Sequence, residues 1–237
     1  MKVTIHQPEH LPWLGFLDKS SMADVVVFLD TVQYRKNYFL NRNKVRTAQE
    51  FAWITVPVAK HKLQTPINEI GINNLLTWQN KCWRTIEQNY SKADYFGDFS
   101  EKFRVLYTTP YDFLVDLNVA LLKFLFESYG IRTRIIMASE LEGAEGQRDE
   151  LLLSICRELE ADCYLSGISG KEYLDMRIFE EAGIGVEFQE FYHPVYKQLY
   201  DPFIPCMSSI DLLFNHGPNA FDILKSPKTE RLAYQFE

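Results

Sequence analysis

Short apolar runs alternate along the chain with longer stretches in which apolar residues return every three to four positions. The short runs are rich in β-branched residues and predict strands. Val3–Ile5 and Val25–Leu29 are the first two. The second, VVVFL, has no polar position, which is the pattern of a strand buried on both faces. Between them, His10–Met22 carries Leu14, Leu17 and Ser21 at helical spacing, with Pro12 tolerated in the first turn. Strand, helix and strand predict a parallel βαβ unit with a right-handed crossover.

Phe51–Val58 predicts another strand, and the alternation in Ile67–Ile72 predicts a half-exposed one. From Leu75 to Tyr129 the spacing is helical, with Gly130 placed to end the last helix. Trp78, Trp83, Phe124 and Phe126 are assigned to the core of that region. The run TRIIMASEL predicts a strand. DELLLSICRELEA predicts a helix with Leu152, Ile155, Cys156 and Leu159 on one face. The stretch DCYLSGISGKEYLDMRIFEEAGIGVEFQEF predicts a second βαβ unit, in which a helix follows the glycine turn. Prolines after Tyr192 predict a loop over a site, then a short helix at Ser208–Phe214. The expected architecture is one α/β domain over residues 1–237. Its core is a Rossmann-like parallel sheet, with residues 75–129 as a helical insert or subdomain.

Composition narrows the function. Of 237 residues, 46% are apolar and 14% aromatic, which excludes a largely disordered chain. The net charge of −7 argues against a nucleic-acid polymer as partner. Seven basic side chains and one acid nevertheless fall between Arg35 and Lys62. That local excess suits a small phosphorylated ligand, or else a solvated basic face. The four cysteines include no CxxC pair. With no signal peptide or long apolar span, the expectation is a soluble cytoplasmic protein without a membrane partner.

Four constellations carry candidate chemistry. His6, Gln7, His10 and Trp13 lie in the loop after the first strand, where open α/β sheets bind ligands. Histidines beside the unpaired amides of a helix start could meet a phosphate, or could merely satisfy nearby carbonyls. LSGISGKEY offers Ser166, Gly167, Ser169, Gly170, Lys171 and Tyr173 after a later strand. Its glycines allow close backbone approach to a nucleotide, although Ser169 could equally be an ordinary helix cap. Asp30, Gln33, Tyr34, Asn41 and Arg42 follow the second strand, where an arginine with flanking amides suits phosphate or carboxylate. His193, Tyr196 and Gln198 belong to the proline-rich loop. No Walker A, GxGxxG, GxSxG or HExxH motif is present, and no metal ligands are assigned.

Several longer strings carry a resemblance. HQPEHLPWLGFLDK, ADVVVFLDTVQY, NRNK, YLSGISGKEYLD and SSIDLLFNHGP occur in the order in which they resemble the WbqC-like family. Membership implies bacterial O-antigen or other surface-polysaccharide biosynthesis, with modification of an amino-sugar precursor. A more distant resemblance is to the HIGH-type nucleotidyl transferases, pantothenate synthetase in particular. His10-Leu11-Pro12-Trp13 stands at their HxGH position, with Trp13 in place of the second histidine. Asp24 follows eleven residues later, and Gln33-Tyr34 ends the next strand.

Three functions follow from these resemblances. The first is an ATP-dependent ligase that activates a small carboxylate or amino acid as an acyl-adenylate and forms an amide on a nucleotide-linked amino sugar. His6 and His10 would be catalytic, the Ser166–Lys171 turn would hold phosphate or ribose, and Mg2+ would accompany ATP. The second is an acyl-CoA-dependent N-acyltransferase with a histidine base. The third is a non-catalytic sugar-nucleotide binder.

Overall fold

The computed structural model describes residues 1–226 and the two-residue strand at 231–232. The chain begins with β1 (Lys2–His6), α1 (Leu14–Ser21) and β2 (Val25–Phe28). A hairpin follows, β3 (Arg42–Arg46) and β4 (Phe51–Thr55). Next come α2 (Trp78–Tyr90), α3 (Phe96–Thr108), α4 (Leu114–Tyr129) and β5 (Arg134–Met137). The second half contains α5 (Asp149–Glu158), β6 (Cys163–Ser166), α6 (Met176–Glu181) and β7 (Gly185–Phe188), then α7 (Ile210–His216) and α8 (Ala220–Lys225).

Five strands form one parallel sheet in the order β5-β2-β1-β6-β7. Alternation along each strand splits the core in two. Val26 and Phe28 point into a large apolar cluster with α1, α4, the hairpin and the C-terminal helices. Val25 and Val27 point into a second cluster with Ile155, Cys156 and Phe179. The sheet is therefore covered on both faces, as parallel sheets require. Trp78, Trp83, Phe124 and Phe126 are all buried in the larger cluster, and Gly130 closes α4 in the left-handed conformation at φ 69°.

Three readings are corrected. Ile67–Ile72 is not a strand: Ile67–Glu69 is a 3-10 turn, with single bridges at Gly71 and Ile72. The amides of Ile67 and Asn68 donate to Val32 and Asp30 instead, pinning this segment to the loop after β2. Phe51–Thr55 is a strand, but it pairs with Arg42–Arg46 in a separate hairpin. The alternating charges of β3 disguised its buried positions, Asn43, Val45 and Arg46. Finally, the SGISGK turn forms a 3-10 turn at Ile168–Glu172, and α6 begins only at Met176, capped by Asp175.

From β1 the chain builds β2 and β5 to one side and β6 and β7 to the other. The order reverses between β1 and β6, and the crevice outside their carboxyl ends is where such sheets bind ligands. His6 ends β1 and Ser166 ends β6.

Candidate functional site

At the carboxyl end of β1 three ionisable side chains come together from β1, its loop and α1. His6 Nδ1 lies 3.0 Å from the Gln7 carbonyl. A carbonyl only accepts, so Nδ1 carries the proton and Nε2 keeps its lone pair. The ring stands edge-on to Phe16, with centroids 4.7 Å apart. Glu9 Oε1 is 4.0 Å from the same Nδ1, and Glu9 Oε2 is buried with no hydrogen-bond partner among the described residues. Lys19 Nζ reaches the Ile5 carbonyl at 3.4 Å.

α1 explains why these groups are buried. Leu14 to Ser20 are all buried, and a helix buried all round is normally apolar. Asp18, on the same helix, is fully engaged by Gln189 Nε2 and Lys225 Nζ, both at 2.7 Å. Among the described residues, Lys19 has only a long bond to a carbonyl. Burial lowers the Lys19 ammonium to about 8, opposed by the charge of Glu9. Burial likewise pushes the Glu9 carboxyl up to about 8, opposed by Lys19. Burial, then Lys19, lowers His6 to about 3. At neutral pH the cluster holds a neutral imidazole, a protonated carboxyl and an ammonium. Such a donor-rich cluster suits an anion and can exchange protons near pH 8. Perturbed ionisable groups gathered at a strand end make a candidate functional site.

The rim is aromatic and basic. Tyr38 is about half exposed, and its phenol is raised by burial and further by Glu9. The rings continue outward through Phe39 at 5.4 Å to Trp53 at 6.3 Å. The Arg42 guanidinium lies 4.4 Å over Trp53, and Lys44 Nζ 5.4 Å over it. Across the crevice, Gly167 opens the turn after β6 with free space around its Cα. A Cβ on Gly170 would run into Ser166 Oγ, so only glycine lets this turn close over β6. Ser169 and Tyr173 are exposed, and Lys171 Nζ sits 5.5 Å over Phe188.

His10 lies elsewhere. It is fully buried, with Nδ1 3.0 Å from Asn118 Oδ1 and Nε2 3.1 Å from the Tyr107 hydroxyl. Asn118 Nδ2 donates to the Pro8 and Leu40 carbonyls, so Oδ1 accepts from His10. Both ring nitrogens tie the first loop to α3 and α4. Nor does the start of α1 form an open phosphate cradle. The Trp13 ring lies across Gly15, where it would block a Cβ, and packs on Phe191 at 5.1 Å. Ser209 N donates to the Pro12 carbonyl, and Trp13 bridges to Ser208.

The other expected residues divide. Gln7 stays beside His6, holding its ring through the backbone carbonyl. Asp30 is buried after β2 and accepts from Ser139. Gln33 donates to Leu63 O and is exposed. Tyr34 is buried against His61. Asn41 donates to Val56 O, and Arg42 donates to Asn37 O. His193 is buried and accepts from the Cys206 amide. Gln198 joins Arg46, Tyr90, Tyr196 and Asp211 in a buried network that clamps the C-terminal segment to the hairpin. Glu9 and Lys19 were missed. No sequence signal marks them, since Glu9 stands between Pro8 and His10 and Lys19 between Asp18 and Ser20.

Comparison with known proteins agrees with the resemblance seen in the strings. The WbqC-like protein family matches residues 7–223. Uncharacterized protein Rv1507c of Mycobacterium tuberculosis is 36% identical over 227 residues, spanning 94% of this chain and 97% of that one. No solved structure matches. The strings, their order and the match across nearly the whole chain have one conclusion: the chain belongs to the WbqC-like family.

Proposed function

We propose that this chain is a transferase of surface-polysaccharide precursor biosynthesis that forms an amide on a nucleotide-linked amino sugar. The WbqC-like family is linked to polysaccharide biosynthesis gene clusters. The observation that carries the chemistry is the buried His6–Glu9–Lys19 cluster at the reversal point of the sheet. A parallel sheet whose strand order reverses between β1 and β6 supports a nucleotide in this crevice. The run Tyr38, Phe39, Trp53 with stacked Arg42 and Lys44 suits a nucleobase and its phosphates.

In this reading His6 Nε2 accepts a hydrogen bond from the sugar amine and aims its lone pair. The amine nitrogen bonds to the acyl carbon, and the leaving group departs with its electron pair. The proton the amine sheds passes through His6 Nε2 to the departing group, because Glu9 and Lys19 already hold theirs at neutral pH. Positive charge on Lys19 stabilises the developing oxyanion.

ATP with Mg2+ is our first choice of acyl activator. Its phosphates fit the open Gly167–Lys171 side of the crevice and the Lys19 floor. They do not fit the α1 amides, which Trp13 covers. That closure favours acyl-CoA as a second reading, because a thioester arrives already activated and needs no triphosphate cradle. The test is mass spectrometry of reactions containing a dTDP-linked amino sugar with either Mg-ATP plus glycine or acetyl-CoA. An amide with AMP release supports the ligase, and an amide with free CoA supports the acyltransferase. Tight sugar-nucleotide binding with no amide under either condition overturns both and leaves a binding protein.

A further inference from the structure

Beside the crevice, at the carboxyl ends of β2 and β5, is a cavity of about 510 Å³. That volume falls within the usual range for small-molecule sites. Neighbouring strands are spaced about 4.8 Å apart, so the cavity begins within roughly two strand widths of His6.

Its lining is selective. Asp30 stands at the base, with Oδ1 and Oδ2 oriented by Ser139 N at 2.9 Å and Ser139 Oγ at 2.6 Å. Asn68 is fixed through its backbone amide, which donates to the Asp30 carbonyl at 3.0 Å. Its Oδ1 is buried without a hydrogen-bond partner among the described residues. Asp116 on α4 adds an exposed carboxylate, and Lys123, two turns further along, an exposed ammonium. Phe113 and Val119 form an apolar wall.

Acceptors therefore outnumber donors, and one acceptor has nothing to accept from. An unpaired buried acceptor costs stability that a donating ligand would recover. A ligand rich in N–H and O–H groups with one apolar face meets these demands. A lone cation at the edge adds a place for a phosphate.

We infer that this cavity is the subsite for the amino-sugar ring. The sugar's hydroxyls donate to Asn68, Asp30 and Asp116, its amine extends toward His6 Nε2, its apolar face rests on Phe113, and its linked phosphate points toward Lys123. The assignment rests on the functional reading above and supplies the acceptor side of that site.

The test is an NMR titration of 15N-labelled protein with D-glucosamine and, separately, D-glucose. Glucosamine is expected to move the amide signals of residues 68, 116 and 139 and to saturate. Glucose, lacking the ammonium, is expected to bind about tenfold more weakly. Asn68→Leu should abolish the response, and Asp116→Asn, on an exposed helix face, should weaken it without touching the core. Signals that stay still, or that respond equally to glucose, overturn the inference. The titration needs no turnover. Cavity shifts without any amide product would defeat the catalytic reading and leave the subsite standing, whereas product without cavity shifts would do the reverse.

Discussion

Glu9 Oε1 lies 4.0 Å from His6 Nδ1, yet that nitrogen's proton goes to the Gln7 carbonyl at 3.0 Å. The carboxyl therefore does not orient the imidazole as the acid of a catalytic triad does. It is a buried acid with one oxygen unpaired among the described residues, and that arrangement costs stability in a definite pH window. Burial raises Glu9 from 4.5 to about 8, so the folded state keeps a proton that the unfolded chain releases. The stability linked to this group is present below about pH 4.5 and is lost as pH rises toward 8. Glu9→Gln cannot ionise. Its Tm should match the parent near pH 5 and exceed it at pH 8, and equal Tm values at both would show that Glu9 titrates normally.

The buried histidines act at the acid end. Burial, then Lys19, lowers His6 to about 3, and burial, opposed by the Asn118 hydrogen bond, lowers His10 to about 4. The unfolded chain takes up protons near 6.5 that the folded chain refuses. Stability should therefore fall as pH drops from about 6.5 to 4. Urea unfolding at several pH values reads this directly, and a flat profile over that interval would refute it.

His10→Ala leaves Asn118 Oδ1 and the Tyr107 hydroxyl unpaired in the core and opens a cavity. The cost should be roughly 2–4 kcal/mol. Because His10 does not reach the crevice, binding of a dTDP-linked amino sugar by the folded fraction should be unchanged. Lost affinity with an unchanged Tm would return His10 to the site.

Gly170→Ala tests the turn after β6. The added Cβ meets Ser166 Oγ and lies 3.3 Å from Phe188 Cε1. Overpacking of this kind costs about 1–3 kcal/mol. It should also displace the Gly167–Lys171 turn and weaken nucleotide binding. Calorimetry with Mg-ATP and with the sugar nucleotide checks both effects, and unaltered affinity for each would remove the turn from the site.

Much of the sheet was legible, because Val25–Phe28 has no polar residue to place anywhere but inside. The βαβ units were legible for the same reason. β3 was not, since Arg42 and Lys44 flank its buried Asn43 and Val45, and its third buried residue, Arg46, is held by the Gln198 bond and the carbonyls of Glu50, Tyr200 and Pro202. Of the proposed site, His6 was legible from its place at a strand end. His10, four residues on, looked equivalent, but its fate was set by Asn118 and Tyr107, about a hundred residues away in sequence. Glu9 and Lys19 read as ordinary surface charges, and only their burial in the folded chain makes them exceptional.

The most direct measurement is calorimetric binding of a dTDP-linked amino sugar to the native chain, His6→Ala and Lys19→Met at pH 7. If the His6–Glu9–Lys19 cluster forms the floor of the site, both variants should fold, with Lys19→Met as stable as the parent or more so. Each should lose at least about tenfold in affinity. Native affinity in both folded variants would contradict the assignment of this crevice.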